Sequence, residues 1–74
     1  MKIAVNSEKT KVRRKELNLT KVKLAELSGL TPETISAIER GKKNDVRLST
    51  INKLAKALQI DSYELIQKGG LEHD

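Results

Sequence analysis

The sequence predicts an all-α domain, compact and built of five short helices, and three observations predict it. Apolar residues recur at three- and four-residue spacing through 21–40 and 48–58. Glycines and short polar residues punctuate those stretches where helix ends need them. Alternation of the strand kind shows only around Ile3 and Val5. At 74 residues there is room for one domain. A chain this short buries only about 60% of its unfolded surface, so its stability margin is narrow.

Residues 1–6 are read as an N-terminal arm, either a short strand or a loose extension that serves a partner. Ser7 is expected to cap a first helix that runs to Asn18, with Glu8 set well against the helix dipole. The inward face of that helix is thin: Thr10, Arg14 and Leu17. An arginine facing inward needs a partner, because an unpaired buried charge is costly, and Glu39 is the candidate. Asn18 ends the helix, since asparagine tolerates the left-handed conformation. Thr20 caps the second helix.

The stretch 21–40 is the one around which the rest is organised. Leu24 and Ala25 face inward on the second helix. Gly29 is the turn residue, because glycine takes positive φ without a Cβ clash. Leu30 plugs the turn. Thr31 caps a third helix, and Pro32 suits its first position, where no N–H donor is needed. Ile35 and Ile38 supply its inward face, with Ala37 beside them. Two helices meeting sharply at a glycine form the helix-turn-helix signature.

Gly41 stops the third helix, and the polar run 42–47 reads as a loop. The helical period returns at Leu48, Ile51, Leu54, Ala55 and Leu58. Asp61 and Glu64 have capping-box spacing and open a short fifth helix with Leu65 and Ile66. Gly69 and Gly70 end it. The domain is therefore placed at 7–68, followed by a tail at 69–74.

Composition removes several function classes. There is no cysteine, hence no disulfide and no thiolate metal site. The only histidine is His73. No glycine-rich phosphate loop occurs, and the carboxylates are scattered or serve as caps. Neither an enzyme, nor a metal or cofactor, nor a small-molecule site is expected. No apolar run approaches the ~20 residues of a membrane span, and the first residues do not resemble a secretory signal. A cytoplasmic location is the expectation.

Charge gives the first positive clue. The chain carries 15 Lys+Arg against 10 Asp+Glu, a net of +5. Residues 1–56 hold 14 basic and 6 acidic side chains, whereas residues 57–74 hold 1 and 4. A basic body with an acidic end points the body toward a polyanion.

LeuThr at 19–20, LeuAlaGlu at 24–26, Gly29-Leu30, ThrIleSer at 34–36, IleGluArgGlyLys at 38–42 and LysLeuAlaLysAlaLeu at 53–58 then carry a resemblance. Together they resemble the Cro/C1-type (XRE-like) helix-turn-helix family of phage repressors and small bacterial regulators, over most of the chain from Thr10 to Ile66. The resemblance implies a lambda-repressor-like domain that binds double-stranded DNA and regulates transcription, with repression the expected sign. It places the third helix, 32–40, in the major groove and the second helix across the backbone. It also implies an ion pair between Arg14 and Glu39, the partners already matched by need.

A major-groove helix reads bases with its start and outer face. Those positions are Thr31, Pro32, Glu33, Thr34 and Ala37, with Ser36 at the margin. Glu33 suits cytosine N4 or, equally, the dipole of its own helix. Thr34 suits either base type or a thymine methyl. The set contains no Arg, Gln or Asn, so DNA shape and outlying basic side chains are expected to contribute. Lys21, Lys23, Arg40, Lys42, Lys43 and Arg47 are the expected phosphate contacts.

The chain departs from the family's pattern at three places. The 42–47 loop is one residue longer. Leu27-Ser28 reverses the usual polar-then-apolar order, so that Leu27 either rotates inward, the favoured reading, or stays exposed and touches a partner. The first helix has few apolar anchors. A homodimer is expected, because relatives bind two half-sites about one helical turn apart. Its candidate surface holds Tyr63, Ile66 and Leu71, with the Ile3–Val5 segment as competitor. The alternative function is an antitoxin or bridging-type module that uses the same fold to bind protein.

Overall fold

A computed structural model describes residues 2–67. The expectations at Gly69, Gly70, Leu71 and His73 lie outside the described residues. The order is β1 (Lys2–Ala4), α1 (Ser7–Glu16), α2 (Lys21–Ser28), α3 (Pro32–Glu39), β2 (Asp45–Arg47), α4 (Leu48–Leu58) and α5 (Ser62–Leu65). The five helices pack around a core of Leu24, Ile35, Ile38, Ile51, Leu54, Leu58 and Leu65, all fully buried. α4 supplies three of these from one face, at the spacing its sequence shows.

The helix ends follow local chemistry. Thr20 and Thr31 cap α2 and α3, each accepting the backbone N–H three residues on. Gly29 and Gly41 take φ of +74°, and Asn18 takes +58°. An added Cβ at either glycine would meet no atom within 4 Å, so their requirement is backbone conformation alone.

Of the two readings of the N-terminal segment, the described residues take the strand. β1 pairs antiparallel with β2, with Ile3 opposite Val46. On its other side Val5 bridges Ile66, and the N–H groups of Asn6 and Gln67 bond to the carbonyls of Leu65 and Ala4 at 2.7 and 2.9 Å. The 42–47 run is accordingly not all loop. Val46, its one apolar residue, is 3% exposed and drives the pairing.

Five smaller expectations are also corrected. α1 is capped by Asn6, not Ser7: the Asn6 Oδ1 accepts the Lys9 N–H at 2.9 Å, one residue earlier than expected. The helix itself stops at Glu16. Leu48 remains 45% exposed, because the buried apolar side chain at that end is Val46 on β2. Asp61 makes no side-chain cap, and Glu64 instead pairs with Lys9 at 3.3 Å. Leu27 is 53% exposed, since Leu24, Ala25 and Ser28 share the inward face. Ser28 tolerates that burial because its hydroxyl donates to the Leu24 carbonyl at 2.7 Å. Thr10, also fully buried, bonds to the Asn6 carbonyl at 2.8 Å in the same way. Among the described residues no buried side-chain N or O lacks a partner.

Leu54→Ala is expected to lower unfolding free energy by about 2–5 kcal/mol, and Leu27→Ala to change it by less than about 0.5 kcal/mol. Urea denaturation of both variants measures the contrast, and equal losses would mean that Leu27 is packed.

Candidate nucleic-acid interface

The interface candidate is the outer side of the α2–turn–α3 unit. The Leu30 N–H bonds to the Ala25 carbonyl at 3.1 Å and closes the turn. Ile35 and Ile38 anchor the inner face of α3 in the core. Its far end is gripped by charge. Arg14 Nε and Nη2 donate to Glu39 Oε2 and Oε1 at 2.7 and 3.1 Å, and Arg14 Nη1 donates to the Leu19 carbonyl at 2.7 Å. The Glu39 side chain is 2% exposed. This bidentate pair joins α1 to the end of α3 and to the segment that leads into α2.

With its inner side held this way, α3 turns the expected reading positions outward. Thr31 and Glu33 are exposed, and Pro32, Thr34, Ser36 and Ala37 are half-buried. None of the six is sealed. The Thr31 hydroxyl donates to Thr34 Oγ1 at 3.0 Å, so these two hydroxyls hold each other.

The basic side chains divide into groups. Lys21 Nζ donates to Ser36 Oγ at 3.0 Å, which brings the first residue of α2 onto α3. Lys21, Pro32, Glu33, Ser36 and Arg40 line one open depression of about 330 Å³. The N–H groups of Lys42 and Lys43 both bond to the Ala37 carbonyl, at 2.9 and 3.0 Å, and so fix the loop after α3. Arg47 pairs across the sheet with Lys2, and both line a smaller hollow with Lys43 and Thr50. Lys23 lies 3.5 Å from Glu26 in an exposed contact, which offsets part of its charge.

Sequence reasoning missed Lys2, because its place depends on strand pairing with residue 47. It also missed Arg13, whose Nε donates to the Leu58 carbonyl at 2.9 Å and closes the end of α4. Of the expected dimer surface, Tyr63 is 58% exposed, whereas Ile66 is half-buried beside Val5. The competing Ile3–Val5 segment is occupied within the chain. Among the described residues no group of three His, Cys, Asp or Glu could hold a metal, and no helix is long and apolar enough to cross a membrane.

A family profile described as helix-turn-helix, HTH_3, matches residues 11–65. The chain belongs to the HTH_3 helix-turn-helix family. The HTH-type transcriptional repressor RghR of Bacillus subtilis (strain 168) is 41% identical over 63 residues, which is 85% of this chain and 47% of that protein. This helix-turn-helix chain thus spans about half the length of RghR. The control protein C.SmaI of Serratia marcescens is 42% identical over 57 residues, 77% of this chain and 67% of that protein. The crystal structure of the restriction-modification controller protein C.AhdI from Aeromonas hydrophila superposes with a TM-score of 0.74 at 38% identity, covering 78% of this chain and 86% of that one. The fold also occurs inside an enzyme. Hydroxypropylphosphonic acid epoxidase from S. wedmorenis matches with a TM-score of 0.74 at 31% identity, but over only 32% of its own chain against 82% of this one.

Arg14→Ala is expected to destabilise the helix-turn-helix domain by about 3–5 kcal/mol, because it strands the Glu39 carboxylate. Lys23→Ala, which removes an exposed pair, is expected to cost under about 1 kcal/mol. Thermal and urea unfolding of the two variants checks the order.

Proposed function

We propose that this chain is a transcriptional regulator that binds double-stranded DNA, and that it represses or controls in the manner the names of RghR, C.SmaI and C.AhdI state for those proteins. One observation carries the reading: α3 is gripped from behind by Ile35, Ile38 and the Arg14–Glu39 pair, while its opposite side is open and flanked by cations. A major groove admits such a helix. Thr31, Pro32, Glu33, Thr34, Ser36 and Ala37 then meet base edges. Lys23, Arg40, Lys42, Lys43 and Arg47 meet phosphates. These phosphate contacts set register and carry no sequence information themselves.

A homodimer fits this reading, because one small domain offers few contacts and two-fold operators match two-fold proteins. Its surface is proposed on α5, at the exposed Tyr63, with Ile66 at its edge. The protein-binding alternative draws support from Val22 and Leu27, which are 57% and 53% exposed on α2. The outlying charges favour DNA, since a cationic rim around a helix matches a duplex backbone on both sides of its groove.

A gel shift on genomic fragments across a salt series tests the function. With about five phosphates engaged per subunit, the log–log slope should be about −4.5 per subunit. Salt-independent capture of a protein, with no DNA shift, would favour the alternative. Joint reversal of Lys42→Glu and Lys43→Glu is expected to weaken binding to all sequences alike. Thr34→Val should instead change preference at one base pair, as read by selection from a random pool. An unchanged profile would remove Thr34 from the reading set.

A further inference from the structure

We propose that Lys21 is a specificity-determining residue that reads guanine through a hydrogen bond to O6 or N7, although it lies on α2 and not on the helix that enters the groove. The inference rests on the DNA-binding reading and reassigns a side chain expected on phosphate.

The reading row of α3 is poor in donors. Thr31, Thr34 and Ser36 bring hydroxyls, Glu33 only accepts, and Pro32 and Ala37 are apolar. Guanine shows two acceptors in the major groove, and the side chains that suit them are arginine and lysine. No such side chain lies among the six positions. Lys21 brings one there from outside, with its ammonium 3.0 Å from the hydroxyl of Ser36, the fifth residue of α3.

Three features make that placement a reading position. The side chain is half-buried and held at its tip, so little rotamer freedom remains to be lost on binding. An ammonium has three donors, and among the described residues only one is engaged. Its surroundings, moreover, are the surface of α3: Pro32, Glu33, Ser36 and Arg40 line the same depression.

Glu33 completes the chemistry. It shares the depression with Lys21, yet the two form no ion pair. A G·C pair offers guanine acceptors to the ammonium and the cytosine N4 donor to the carboxylate. The couple therefore favours G·C over A·T at the position under the start of α3. A phosphate-binding lysine needs no hydroxyl on α3 to hold it, and a freely extended side chain would serve it better.

The experiment is selection of bound duplex from a random pool, with salt titrations on the selected site. It uses the full chain and its Lys21→Met, Lys21→Arg and Lys42→Gln variants. The wild type should enrich guanine at one position of each half-site. Lys21→Met should lose that preference by about tenfold at that position alone, with other positions unchanged. Lys21→Arg, which suits guanine O6 and N7, should keep it, and this variant guards against a fold defect in Lys21→Met. Lys42→Gln should leave the profile intact and make the salt slope shallower by about 0.9 per subunit. The proposal is overturned if Lys21→Met behaves like Lys42→Gln, with an unchanged profile and a shallower slope. It also falls if Lys21→Arg loses guanine along with Lys21→Met. A wild type that enriches no sequence and shows no salt-dependent binding overturns the DNA-binding reading itself, which separates the two failures.

Discussion

The ion pair between Arg14 and Glu39 is the constraint on which the recognition geometry depends. The core is small, and its share on α3 comes to two isoleucines. Two apolar contacts on one helix leave rotation about its axis loosely specified. The planar fork of Arg14 meets both oxygens of Glu39 and the Leu19 carbonyl, so the end of α3 has one allowed setting relative to α1. Well-packed apolar residues of similar volume often match or exceed a buried pair in stability. The return here is a fixed orientation for α3, the helix proposed to align with base edges. A lysine at position 14 would lack the two-pronged geometry.

Charge and exposure then divide the labour on the outer surface. The side chains along α3 are short or apolar, while the long cationic ones stand around it, at the start of α2, at the end of α3 and on the loop and strand beyond. On the proposed reading, such an arrangement would grip the backbone more strongly than it reads bases. Part of the proposed sequence preference would then come from how readily a given duplex adopts the groove shape that the rim demands.

Much of this was legible in the residues themselves. Gly29, Thr20, Thr31 and Pro32 mark the turn and the caps by local chemistry that acts within a few residues. Arg14 and Glu39 were matched by need, because a charged side chain on an inward face must have a counterpart. The ribbon was only half legible: the alternation at Ile3 and Val5 pointed to a strand but not to its partner. Its three-residue strands pair by backbone, across more than forty residues of sequence, and Val46 alone in a polar run is a faint signal. The Leu27-Ser28 order misled for a different reason. Hydropathy ranks leucine as the inward residue, but a serine whose hydroxyl bonds to the preceding turn carries little penalty when buried. The placement of Lys21 on α3 was also out of reach, since a helix-crossing contact through a long side chain leaves no periodic trace.

The strand at the start of the chain bears on the order of assembly. Val5 lies between Asn44 on one side and Ile66 on the other, so this segment's neighbours are some forty to sixty residues away in sequence. Closing so long a loop costs more conformational entropy than docking adjacent helices. Local contacts therefore favour the early meeting of α2 and α3, while the ribbon must close a far longer loop. β1 is thus the late latch of the domain, and the α2–turn–α3 unit can take shape before that latch shuts.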